Sequence, residues 1–132
     1  MINIQELKQN NYVVAEYEGQ KRRGYVSGVV PEDHSVQVVT DNGNQEFWYD
    51  VHDVYPIELT DAEMGQLGFV KEDLEDDAVK YKKDAFRLVI PKRDDFSSVE
   101  MWFREDIRIH PNVHYVHQLQ NQFHNMTKIY LE

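Results

Sequence analysis

His110, His114, His117 and His124 are the group in the 132-residue chain whose spacing is dense enough to suggest a metal site. On a helix His114 and His117 are near neighbours, and His124 follows two turns beyond His117 on the same side. Imidazoles so spaced could hold zinc or nickel. Pro111 and a cap at Asn112 blur the start of that helix, and a start at Tyr115 takes His114 off the shared face. No carboxylate stands ready to orient a ring, and the shared side is the polar one. The expected reading is therefore a solvated histidine face without a metal. Other chemistry is missing from the text. There is no cysteine, and the six glycines are scattered rather than gathered in a phosphate-binding loop. No serine sits in a nucleophile elbow, and Glu100 and Glu105 have no partner across a cleft. The expectation is a protein that is not an enzyme and uses no cofactor.

Aromatic side chains are the remaining candidates. Tyr17, Tyr25, Trp48, Tyr49 and Tyr55 fall near the ends of strand-like stretches, where they could grip a peptide or another ligand. In Phe47-Trp48-Tyr49 a strand turns Phe47 and Tyr49 to one face and Trp48 to the other. Whichever face is outward leaves an aromatic exposed, and rings of this kind can cage a cation. A small barrel also uses aromatics as core, so the two readings part on exposure. Lys21-Arg22-Arg23, the one basic run, reads as an exposed turn.

Charge narrows the partners. Fourteen basic against 24 acidic side chains give a net of −10. The deficit is shared, with 4 basic against 10 acidic residues up to Thr60 and 10 against 14 beyond it. No basic tail or domain awaits a phosphate backbone, which argues against direct nucleic-acid binding. An acidic surface favours solubility, or else imitates a nucleic acid's charge and occupies a protein that binds one. The start, Met1-Ile-Asn-Ile-Gln-Glu-Leu7, lacks the basic region and apolar run of a signal peptide, and no apolar run is long enough to span a membrane. With no cysteine, a soluble cytoplasmic protein without membrane contact is expected.

The elements that must position these residues fall into two parts. In the first, to about Leu59, a helical turn at Ile4–Leu7 precedes strands at Tyr12–Tyr17, Arg23–Val30, Ser35–Thr40, Gln45–Tyr49 and Val54–Ile57. Glu18-Gly19-Gln20, Pro31–His34 and the hairpin signal Asp41-Asn42-Gly43 separate them, and Asp50–Asp53 is a tight turn. Short strands at this spacing predict a small SH3-like barrel of the Tudor or KOW kind.

The second part, Thr60 to Glu132, opens on a capping box. Thr60 caps with Glu63 three residues on, and Leu59 and Met64 hold the staple positions. A helix from Asp61 to about Leu67 should stop at Gly68. Lys71–Asp77, five carboxylates in seven residues, lacks the spacing of a calcium loop and is expected to be a solvated loop. Ala78–Lys82, Ala85–Ile90, Val99–Phe103 and Ile107–His110 read as three strands and a short fourth. The last nineteen residues carry one apolar stripe of Val116, Leu119, Phe123, Met126 and Tyr130 at helical steps. That stripe should cover the meander, with His114, His117 and His124 on the opposite side.

Tyr115-Val-His-Gln-Leu-Gln-Asn121 resembles the C-terminal signature of a family of small uncharacterised bacterial proteins often seen in phage-derived or mobile regions. Pro56–Thr60 through Leu67-Gly-Phe69 resembles the family's middle motif, and Asn11-Tyr12-Val13 its start. Gln122, Asn125 and Lys128 depart from the pattern, Lys128 standing where a glycine ends the helix. The resemblance implies a prophage or accessory setting and brings no activity, cofactor or catalytic residue.

The expected fold is thus α+β: an SH3-like barrel over residues 1–59, then a helix, an antiparallel meander and a C-terminal helix over residues 60–132, with one continuous core as an alternative. The expected function is non-enzymatic binding of a host protein or peptide through Tyr17, Tyr25, Trp48, Tyr49 and Tyr55. The alternative is an acidic nucleic-acid mimic.

Overall fold

The computed structural model describes residues 2–40, 43–109 and 111–132. It divides into two compact units, Met1–Ile57 with Tyr115–His117, and Glu58–His114 with Gln118–Glu132. The chain has the expected α+β character, two antiparallel sheets with a C-terminal helix.

In the first unit a 3-10 turn at Ile4–Glu6, capped by the Asn3 side chain, leads to five strands. They are β1 (Tyr12–Tyr17), β2 (Gln20–Val30), β3 (Ser35–Thr40), β4 (Gln45–Asp50) and β5 (Val54–Tyr55). The order β4-β3-β2-β1-β5 makes an open sheet with β4 and β5 at its ends. A β-bulge between Val26 and Gly28 bends β2, which lets one short sheet curl around its own apolar face. Val13, Val26, Val36 and Val38 on that face are fully buried. Gly24 pairs with Val13 on the same face and is glycine because no side chain fits there: a Cβ would lie 2.4 Å from the Val39 carbonyl oxygen. Asp50 caps the 3-10 turn Val51–Asp53 with its side chain, accepting from the His52 N–H. The hairpin signal at Asp41-Asn42 lies outside the described residues.

Residues Tyr115–His117 complete this unit. The Val116 N–H donates to the Ile57 carbonyl at 2.8 Å. His117 is buried, with Nε2 3.0 Å from a Glu6 carboxylate oxygen and its ring stacked on Tyr115. This corrects the expected polar histidine face. Its Nδ1 has no hydrogen-bond partner among the described residues, so the neutral tautomer protonated on Nε2 satisfies the site best. Burial pushes the His117 pKa below its ordinary value, and Glu6 opposes that shift only in part.

The second unit begins with α1 (Asp61–Gln66), where Thr60 Oγ1 accepts from the Glu63 N–H at 3.2 Å. Gly68 ends it at φ +87°. Next come β6 (Val70–Asp73), β7 (Val79–Lys83), β8 (Phe86–Ile90), β9 (Glu100–Phe103) and β10 (Asp106–Ile109), neighbours in chain order. The meander therefore has five strands rather than four, because part of the acidic segment expected as a loop is strand. β6 is exposed at every position. It pairs through charge as well as backbone: Glu72 faces Lys80 in register and its carboxylate lies 2.6 Å from the Lys80 ammonium. Beyond it, Arg93 bridges Asp73 and Asp77.

α2 (Val116–Thr127) has only its first two residues in the first unit. The rest lies on the core face of the second sheet. Phe123 meets Phe86 at 4.8 Å and Phe69 at 6.3 Å between ring centroids. Leu119, Phe123 and Met126 are buried as expected. Gln120, a polar side chain outside that stripe, is also buried and donates to the Leu131 carbonyl at 2.9 Å. One correction follows. Tyr130, read as part of the stripe, lies past the helix, is exposed and stacks on His124. The helix stops because Lys128 turns to φ +66°, the left-handed conformation that glycine usually supplies.

Candidate functional site

The open sheet presents a seam between the β4 end and the tail of β1. β1 pairs with β5 only at Val14 and Ala15, so Glu16 and Tyr17 run past the short strand. Across from them, β4 carries its aromatic run. Phe47 pairs with the buried Val38 and points to the concave face, and Tyr49 packs against the core there. Trp48 points to the convex face, where it lies over Gly28: a Cβ at Gly28 would sit 3.3 Å from the indole ring.

Two cavities share this seam. One, about 330 Å³, runs inward between Ala15, Tyr17, Arg22, Thr40, Phe47 and Tyr49. The other, about 360 Å³, is lined by Glu16, Tyr17, Phe47, Trp48, Tyr49, Asp50 and Asp53. Tyr17, Phe47 and Trp48 are 67, 55 and 52% exposed, well beyond what a core aromatic retains. Each chain element has a local reason to present its residue here. The Glu18–Gly19 turn, with both residues at positive φ, ends β1 at Tyr17. The Asp50 cap ends β4 and holds Asp50 and Asp53 on one short turn.

The electrostatics are one-sided in the second cavity: three carboxylates and no basic residue among its lining. Asp50 is held below the usual carboxylate range by the His52 backbone N–H first and the His52 ring next, 2.6 Å away. Glu16 accepts from the Tyr55 hydroxyl at 2.9 Å, which holds the phenol above its ordinary pKa. Lys21, opposite Glu16 in register, places its ammonium 4.4 Å over the Tyr55 ring instead of in the cavity.

Of the five aromatics singled out from sequence, Tyr17, Trp48 and Tyr49 therefore meet at one seam. Tyr55 stands behind it as the partner of Glu16. Tyr25 lies elsewhere, in a wide basic depression with Tyr12, Arg22 and Arg23. Sequence reasoning passed over Phe47, Glu16, Asp50 and Asp53. Phe47 was visible as the same-face companion of Tyr49, but the carboxylates join the site only through the sheet's curl.

The histidines offer no comparable site. Among the described residues no three His, Cys, Asp or Glu side chains are grouped to hold a metal ion; His110 lies outside them. No helix among the described residues is long and apolar enough to cross a membrane. No protein-family model, curated protein or solved structure matches the chain.

Proposed function

We propose that this chain is a non-enzymatic protein- or peptide-binding module whose first unit is an SH3-like barrel left open along one seam. The observation that carries this reading is the set of exposed rings Tyr17, Phe47 and Trp48 around a 360 Å³ cavity. Exposed rings in a concave site are costly to leave in water and productive to cover, which is why aromatics dominate binding hot spots. The sequence resemblance adds a phage or mobile-element setting, with a bacterial host protein as the partner in the cytoplasm.

The alternative, an acidic nucleic-acid mimic, draws on the net charge of −10. Several carboxylates of its densest stretch are engaged within the molecule, Glu72 with Lys80 and Asp73 and Asp77 with Arg93. That favours the binding module. Affinity capture from a bacterial lysate, run beside a Tyr17→Ser/Phe47→Ser variant, tests the choice. The expected result is a partner retained at moderate salt and lost with the variant. A partner that the variant still holds and that moderate salt releases would instead support the mimic, since charge-led contacts are screened.

A further inference from the structure

The seam offers backbone as well as rings. β4 ends the sheet and pairs with β3 alone among the described residues. The Val51 N–H bond to the His34 carbonyl, 2.8 Å, continues the β3–β4 register in which Asp50 faces Ser35. Bonded and non-bonded pairs alternate along an antiparallel ladder. Counting back from Val51, Tyr49 and Phe47 bond toward β3, while Glu46 and Trp48 turn their N–H and C=O groups away from it. Such an edge is a template for one more strand.

Charge selects what that strand carries. Glu16, Asp50 and Asp53 line the cavity beside the edge with no cation among them. The Tyr17, Phe47 and Tyr49 rings complete a site whose faces attract positive charge. An acidic side chain would meet like charge there, and an apolar one would leave carboxylates facing it.

We propose that the first unit binds an extended peptide that adds to β4 as a sixth strand and lodges a lysine or arginine side chain among Tyr17, Phe47, Tyr49 and the three carboxylates. The inference rests on the peptide-binding reading above and gives it an occupant. Backbone pairing supplies the register, and the acidic aromatic cavity supplies the choice of side chain.

The test uses the full chain, isotope-labelled, titrated with three short synthetic peptides of alternating threonine with lysine, glutamate or glutamine. The lysine peptide is expected to bind at least about tenfold more tightly than the glutamine one, to move β4 resonances first, and to protect the Glu46 and Trp48 amides from hydrogen exchange. A Glu16→Gln/Asp50→Asn/Asp53→Asn variant should lose that preference. These positions line an open cavity, and the β4 amide pattern of the free variant verifies its fold. Equal binding of the lysine and glutamine peptides at β4 overturns the cationic occupant but leaves a peptide-binding module. Lysine-peptide shifts scattered over the acidic surface, without Glu46 and Trp48 protection, overturn the added strand. No binding by any peptide, with the Tyr17→Ser/Phe47→Ser variant still losing its captured protein, overturns this inference while the broader reading stands. Loss of that capture difference as well removes both.

Discussion

Glu6 and His117, 111 positions apart, meet at 3.0 Å, and His117 is only 1% exposed. The N-terminal turn and the start of α2 are thus joined by a buried imidazole with a single polar partner among the described residues. Protonating its Nδ1 would bury an N–H with nothing to receive it, at a cost of about 1–3 kcal/mol.

Acid should therefore weaken the fold through His117. Its folded pKa is depressed by burial, so the unfolded chain takes up a proton first as pH falls through about 6.5. Stability is full above that point and declines toward the lower folded pKa. Urea midpoints measured at a series of pH values should fall across this window. The decline should be shallower in His117→Gln and steeper in Glu6→Gln, which lacks the anion that eases protonation. A slope unchanged by His117→Gln would rule out this residue as the source.

Truncating α2 should be costly. Leu119→Ala should destabilise by about 2–5 kcal/mol and Phe123→Ala by about 3–5 kcal/mol, because Leu119 is fully buried and Phe123 wedges between Phe86 and Phe69. Urea denaturation monitored by circular dichroism checks both. A neutral result for either would mean the helix does not cover the second sheet.

Two glycines should respond in opposite directions. Gly24→Ala forces a Cβ to 2.4 Å from backbone and should destabilise by about 1–3 kcal/mol. Gly65→Ala meets nothing within 4 Å inside α1 and should stabilise by up to about 1 kcal/mol. Thermal melts of the pair give the signs directly.

Lys128→Gly should stabilise by about 1 kcal/mol, since a lysine at φ +66° carries left-handed strain that glycine lacks. The gain is reduced by losing the Lys128 ammonium bond to the Asn125 carbonyl. A lower melting temperature in the variant would show that this bond outweighs the strain.

Trp48→Ala should change stability by less than about 1 kcal/mol, as exposed positions do, although the indole lies over Gly28. Chemical denaturation decides it. A loss of several kcal/mol would reassign Trp48 to the core and remove it from the binding seam.

What could be read from sequence was whatever local physics settles. Thr60 as a cap needs only its neighbours, and it caps α1 as expected. Phe86, Leu88 and Ile90 alternate, and all three are buried. β6 escaped because its pairing with β7 is marked by Glu72 and Lys80, so no apolar period announces it. His117 reads as polar in any pattern, and only Glu6, far away in the chain, makes its burial tolerable. The seam was half legible: the aromatics stand out by type, while Glu16, Asp50 and Asp53 converge only through the bulged β2 and the early end of β5.

The assignment of Tyr115–His117 to the first unit also bears on synthesis. A ribosome delivers that unit's five strands first, but the residues that donate to the Glu6 carboxylate and the Ile57 carbonyl emerge only after the second sheet has been made. The first unit must wait, incomplete, until the second sheet has been synthesised. A truncated gene ending at Ile57 should yield a nascent sheet prone to capture by chaperones, and the two units should be inherited together rather than shuffled apart.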